Sequence, residues 1–172
     1  MKRRFEQLVD EHGGRLLQMA GLLLRSNAEA EDVVQDSLVK LWHHLPRLEA
    51  GKELGWLITC TRNACLDQLR ARKRQRGFLQ LVAGDNDRAG RIENPPQHET
   101  ETVERVRRLR AAITAMPEPA RSLLILRDIQ EVDVATVAST LSLTENQVKV
   151  YTFRARRALR RRLEEEHHEQ VA

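Results

Sequence analysis

Three groups of side chains have the types and spacing for chemistry, and in each the chemistry is recognition rather than bond-making. Asn146, Gln147 and Lys149 stand near the expected start of a helix, just after Thr144. Amides and an amine so placed suit base edges and phosphates in a major groove. Val150 and Phe153 fall on the same outward side, and Arg154 and Arg157 belong to the acid-free stretch 149–162, which carries seven cations. A second group lies upstream. Asn63 and Asp67 are one helical turn apart, able to hydrogen-bond unstacked bases or each other, with Arg62, Arg70 and Arg74 largely outward beside them. The third group is acidic. Asp32, Gln35, Asp36, Val39 and His43 recur at i, i+3, i+4, i+7 and i+11. That face repels phosphate, which leaves a solvated surface or a docking surface for a basic protein.

Bond-making signatures are missing. The chain has no HExxH, no P-loop and no GxSxG. His43–His44 and EEEHHE (164–169) lack metal-site spacing and read as a polar helix surface and a solvated tail. No catalytic residue, metal or cofactor is expected. Cys60 and Cys65 point in different directions on one helix, which predicts buried, reduced thiols and a cytoplasmic protein. LLQMAGLLL (16–24) is the longest apolar run and is too short to span a bilayer, so no membrane insertion is expected.

The elements that must hold these groups are helices. Phe5, Val9, Leu16, Ala20, Leu23 and Leu24 mark one helix over about 3–25, weakened at Gly13–Gly14. Ser26 and Glu29 form a capping box for the next, which buries Val34, Leu38, Leu41 and Leu45 and stops at Pro46. A third is expected over about 55–74, with Leu57, Cys60, Thr61 and Ala64 inward. Its end carries RARKRQR (70–76), five cations without an acid, so both basic runs close an apolar-periodic helix. Periodicity stops over 77–100, where Gly84, Gly90, Pro95 and Pro96 sit among polar residues; this predicts a flexible linker, although GFLQLV at its start can extend the preceding helix. Further helices are expected over about 101–116 and 119–129, separated by Pro117 and Pro119. Asp133 caps a short helix over 134–141, and after a tight turn Thr144 and Gln147 box the start of a long helix to about 163. Short helix, turn and longer basic helix make a helix-turn-helix, packed through Val134, Val137, Ala138, Leu141, Leu143 and Val148. The fold class is therefore all-α, with small helical domains at 1–76 and 101–172.

Taken together, AEDVVQDSLVKLW, WLITCTRNACLDQLR and the helix-turn-helix ending RARRALRRRL resemble, in order, the extracytoplasmic-function (group 4) bacterial RNA polymerase sigma factors. The resemblance covers both halves and implies a factor that recruits core polymerase to promoters. By position it implies that Asp32, Gln35, Asp36 and Val39 dock on the clamp helices of the polymerase's largest subunit. It places Trp56 and the loop before it, Arg62, Asn63, Asp67, Arg70, Arg72, Lys73 and Arg74 at the minus-ten element, where flipped bases are trapped and melting is aided. It places Thr144, Asn146, Gln147, Lys149, Val150, Phe153, Arg154 and Arg157 at the minus-thirty-five element, and the same domain against the polymerase flap. It also raises an anti-sigma factor as a partner, which the residues themselves do not identify.

The chain departs from the family's usual pattern in the helix-turn-helix. Ser142 stands where a turn Gly is common, and Asn146–Gln147 where a Gly-Thr pair is. Lys149–Val150–Tyr151 replaces a Lys-Ser-Arg run, and Thr152 an apolar residue. These departures bear on base preference. Two other classes compete with the sigma factor. A dimeric operator-binding regulator gives no role to Asp32, Gln35 and Asp36. An enzyme acting on nucleic acid requires a metal or acid–base cluster that the sequence does not offer.

Overall fold

The computed structural model describes the backbone of residues 1–83 and 101–171, and side chains within 1–75 and 102–165. Among the described residues every regular element is helical. The chain divides into two compact units, Met1–Gln97 and His98–Ala172.

The first unit is three helices in mutual contact. Helix α1 (Lys2–Leu24) runs unbroken through Gly13 and Gly14 and buries Leu8, Leu16, Met19, Ala20 and Leu22 to Leu24; Phe5 and Val9 are half-buried. Helix α2 (Asn27–His44) begins at Ser26, whose hydroxyl accepts from the Glu29 N–H at 3.4 Å. It buries Ala30, Val33, Val34, Ser37 and Leu41, and a 3-10 turn, Leu45–Arg47, follows at Pro46. Leu38, expected inward, is half-buried: the stripe lies closer to Val33 and Ser37, whose hydroxyl is satisfied by the Val33 carbonyl at 2.8 Å. The Phe5 and Trp42 rings meet edge to face, centroids 5.1 Å apart.

Gly51, at φ +86, turns the chain into helix α3 (Glu53–Ala83). Glu53 is buried and paired with Arg4 of α1; that hydrogen bond holds its carboxyl below the ordinary range. The inward side of α3 is Leu57, Ile58, Thr61, Cys65 and Leu66. Cys60 and Ala64 are half-buried, because the helix is rotated by a fraction of a turn from the expected stripe. It also continues past the expected end near Arg74, and the apolar 77–83 extends it; the remainder of the expected linker, 84–100, lies outside the described residues.

In the second unit helix α4 (Glu101–Thr114) packs on α5 and α7. Helix α5 (Ala120–Leu124) passes into a π-helical stretch, Ile125–Ile129. Ser122 to Leu126 are all buried, so this segment is the centre of the unit and carries no exposed face. Helix α6 (Val134–Leu141) starts at Asp133, which accepts from the Thr136 N–H at 2.8 Å and its hydroxyl at 2.6 Å; these bonds hold the carboxyl below the ordinary range. Helix α7 (Glu145–Val171) runs beyond the expected end near 163. Arg156 donates to both Asp128 carboxylate oxygens, at 3.0 and 2.5 Å, and clamps α7 to the π-helical stretch.

The turn between α6 and α7 is closed by Ser142 in the left-handed region, φ 55, with the Leu143 N–H on the Ala138 carbonyl at 2.9 Å. A side chain there is strained where glycine is not. Ser142→Gly is therefore expected to stabilise the second unit by about 1 kcal/mol. The check is a rise of several degrees in the melting transition that follows α7.

Glu104 of α4 accepts from Arg107 at 2.7 Å and Arg108 at 2.9 Å. These bonds, Arg107 first, draw its carboxyl down to about 2 from 4.5. A depressed folded value means stabilisation present above the ordinary value and lost as pH falls through about 2. Acid titration should thus loosen α4 in that window, and Glu104→Gln should remove this part of the acid limb in a helicity-against-pH curve.

Candidate functional site

The described residues place three surfaces on the two units. On α2, Asp32, Gln35, Asp36, Val39 and His43 are all exposed, opposite the buried Ala30, Val34 and Leu41. The stripe from Asp32 to Val39 is about 10 Å long at 1.5 Å per residue. Val39 is 57% exposed amid the acids, and no cation among the described residues pairs with Asp32 or Asp36. An apolar side chain framed by unpaired carboxylates suits a basic protein surface better than water alone.

On α3, Trp56, Asn63, Asp67, Arg70 and Arg74 fall on one line, since offsets of 7, 11, 14 and 18 residues return near the same angle of a 3.6-residue helix. Asn63 and Asp67 do not bond each other: Arg62 donates to Asn63 Oδ1 at 3.3 Å and Arg70 to Asp67 Oδ1 at 2.9 Å. Each polar group is thus held by a neighbouring cation, and both side chains are exposed. Trp56 is half-buried and its ring stacks on His44, centroids 5.2 Å apart and 16° from parallel. Lys73 and Arg74 are exposed.

Arg72 does not join this surface. Two residues on from Arg70, it points to the opposite side of α3, where it pairs with Glu29 of α2 and donates to the Leu24 carbonyl at 3.4 Å. It ties α3 to the junction of α1 and α2, so its charge is engaged within the protein. Glu29, one of the acids of the α2 segment, is likewise turned inward.

On α7, buried Val148, Thr152 and Ala155 fix the inner side. Asn146, Val150, Phe153 and Arg157, at i, i+4, i+7 and i+11, form the outermost stripe, with Lys149 on one flank and Arg154 on the other; all are exposed. No carboxylate among the described residues pairs with Lys149, Arg154 or Arg157. Gln147 lies off the stripe and is occupied. Its Oε1 accepts from the Thr144 N–H at 2.8 Å, and its own N–H donates to the Thr144 hydroxyl at 3.1 Å. In this reciprocal capping box the Gln147 oxygen is committed, whereas bidentate recognition of adenine needs both ends of the amide. Arg156, counted in the acid-free run, is committed to Asp128.

A groove went unnoticed in the sequence. In the second unit a cavity of about 690 Å³ is lined by Met116, Pro117, Leu123, Tyr151, Ala155 and Arg161, among others. Its signal in the sequence is the Met116–Pro117 corner, whose partner residues come from a distant helix.

Two helical units, one bearing an exposed carboxylate-framed face and the other a helix-turn-helix with a cationic outer stripe, have the layout of a two-region nucleic-acid-binding factor. Residues 8–75 match the Sigma-70 region 2 family and residues 106–159 the Sigma-70 region 4 family. The chain is 31% identical over 163 residues to the RNA polymerase sigma factor CnrH of Cupriavidus metallidurans, covering 92% of this chain and 85% of that protein. It is 26% identical over 156 residues to the ECF RNA polymerase sigma factor SigE of Mycolicibacterium smegmatis, covering 91% of this chain but spanning only 60% of that relative. Among solved structures, the Bartonella quintana sigma factor RpoE, crystallised with the anti-sigma factor NepR, superposes with a TM-score of 0.75 at 24% identity, over 94% of this chain and 98% of that one. The chain belongs to the ECF RNA polymerase sigma factors.

Proposed function

We propose that this chain is a group 4 sigma factor that binds core RNA polymerase and directs promoter-specific initiation, in the cytoplasm where the polymerase works. Asp32, Gln35, Asp36 and Val39 dock on the polymerase. The α3 line of Trp56, Asn63, Asp67, Arg70 and Arg74, with Arg62 and Lys73 at its side, receives the minus-ten element and aids melting. Bases leaving the stack find side chains already oriented by Arg62 and Arg70, which offsets part of the few kcal/mol that unstacking costs. The outer stripe of α7 enters the major groove at the minus-thirty-five element, with Lys149, Arg154 and Arg157 on phosphates. The groove of the second unit suits an apolar segment of the polymerase flap. An anti-sigma factor is a further partner class, as for the similar RpoE.

The observation that carries this reading is the pairing of surfaces: an exposed cationic stripe in one unit and an acidic face with exposed Val39 in the other. An operator-binding regulator has no use for the second. Run-off transcription with purified core polymerase tests it. Promoter-dependent transcripts that appear only when the chain is added are expected. Tight duplex binding by the chain alone, with no gain from core enzyme, would sink the proposal.

A further inference from the structure

The helix-turn-helix presents an apolar pair on its exposed outer stripe. Val150 is 37% and Phe153 61% exposed, side by side on the outermost stripe of α7, between Asn146 and Arg157. Their immediate neighbours Lys149 and Arg154 have no acidic partner among the described residues, so the field around the pair favours a polyanion. Against most base edges such a pair is unfavourable, because it would cover hydrogen-bonding atoms of the base and offer nothing in exchange. One major-groove feature is apolar, the C5-methyl group of thymine. With Gln147 withdrawn into its capping box, the stripe holds a single free amide, Asn146. Asn146 precedes Val150 by about 6 Å and Phe153 by about 10 Å along the helix axis, at 1.5 Å per residue. That is two to three base-pair steps, at about 3.4 Å per step.

We infer that Val150 and Phe153 form a reader of pyrimidine 5-methyl groups, selecting thymine two to three base pairs from an adenine held by Asn146. This rests on the assignment of α7 to the minus-thirty-five element, and deepens it by naming the chemical group that is read. Selectivity comes mainly from shape and desolvation: thymine covers the pair with a methyl group, whereas cytosine and the purines leave polar edges against it.

The test uses the full chain bound to core polymerase. Promoters with a randomised minus-thirty-five region are selected for binding, and the preferred sequence is remade with deoxyuridine in place of each thymine, which removes the methyl group and nothing else. At one or two positions the wild-type complex should lose about fourfold in affinity, the factor that burying one methyl-sized group gives. Val150→Ala and Phe153→Ala should bind the thymine promoter more weakly and lose that sensitivity at the matching position; Val150→Ile should keep it. Both side chains are exposed, so the variants should fold, and circular dichroism checks this. A wild-type complex indifferent to deoxyuridine at every position, or alanine variants as sensitive as wild type, would overturn the methyl reading alone. A complex indifferent to the entire minus-thirty-five region would overturn the assignment of α7 as well.

Discussion

Reversing the charge at both Asp32 and Asp36 is expected to weaken binding of core polymerase by about a hundredfold or more. Like charges brought face to face in an interface cost several kcal/mol, and about 1.4 kcal/mol is a factor of ten. Both carboxylates are exposed, neither is paired among the described residues, and the core of α2 lies on its opposite side. The Asp32→Lys, Asp36→Lys double variant should therefore keep wild-type helicity and melting while losing the polymerase. The loss should be largest at low salt, because steering between exposed charges is screened within about 10 Å at 0.1 M. Capture of core enzyme at the wild-type level by a well-folded double variant would remove the docking face from the proposed function.

The second large effect is on stability and separates the two units. Leu126 is 1% exposed at the centre of the second unit. Truncating a fully buried leucine costs about 2–5 kcal/mol. A unit of this size has only about 4–11 kcal/mol in total, at 0.05–0.15 kcal/mol per residue. Leu126→Ala should thus pull one melting transition down by about 10 °C or more and leave the other in place. At a temperature between the two, the variant should still bind core polymerase through α2 but lose initiation that depends on the helix-turn-helix. A single transition, shifted as a whole, would show that the units melt together.

What was legible in the sequence was local. Ser26, Asp133 and Thr144 announced their helices through capping chemistry, and each accepts from the N–H three residues on; only the Thr144 box is reciprocal, since the Glu29 carboxylate turns to Arg72. The acidic stripe of α2 was legible because one side of a half-buried helix alternates cleanly with the other. Phase along α3 was harder: apolar and small residues are spread around it, so the inner line through Leu57, Ile58, Thr61 and Cys65 was only partly found. The segment from Ser122 to Leu126 shows no period because every side of it is covered. Among the candidate site residues, the sequence placed most on shared exposed faces but could not tell an offered side chain from an engaged one. Arg72 and Arg156 sit in runs of like charge, and their acids come from Glu29 and Asp128, 43 and 28 positions away. Composition along the chain does not report such pairs.

The bond between Gln147 and Thr144 has a practical side for anyone wishing to re-aim this factor at new promoters. A library that randomises the exposed residues of α7 would naturally include position 147. Most of its members would then carry a frayed helix start, losing about 1 kcal/mol from the cap before any base is met. Their defect would be read as poor recognition everywhere, not as altered preference. Holding Thr144 and Gln147 fixed and varying 146, 150 and 153 confines diversity to side chains that the fold does not use, and orthogonal promoter pairs should be sought there.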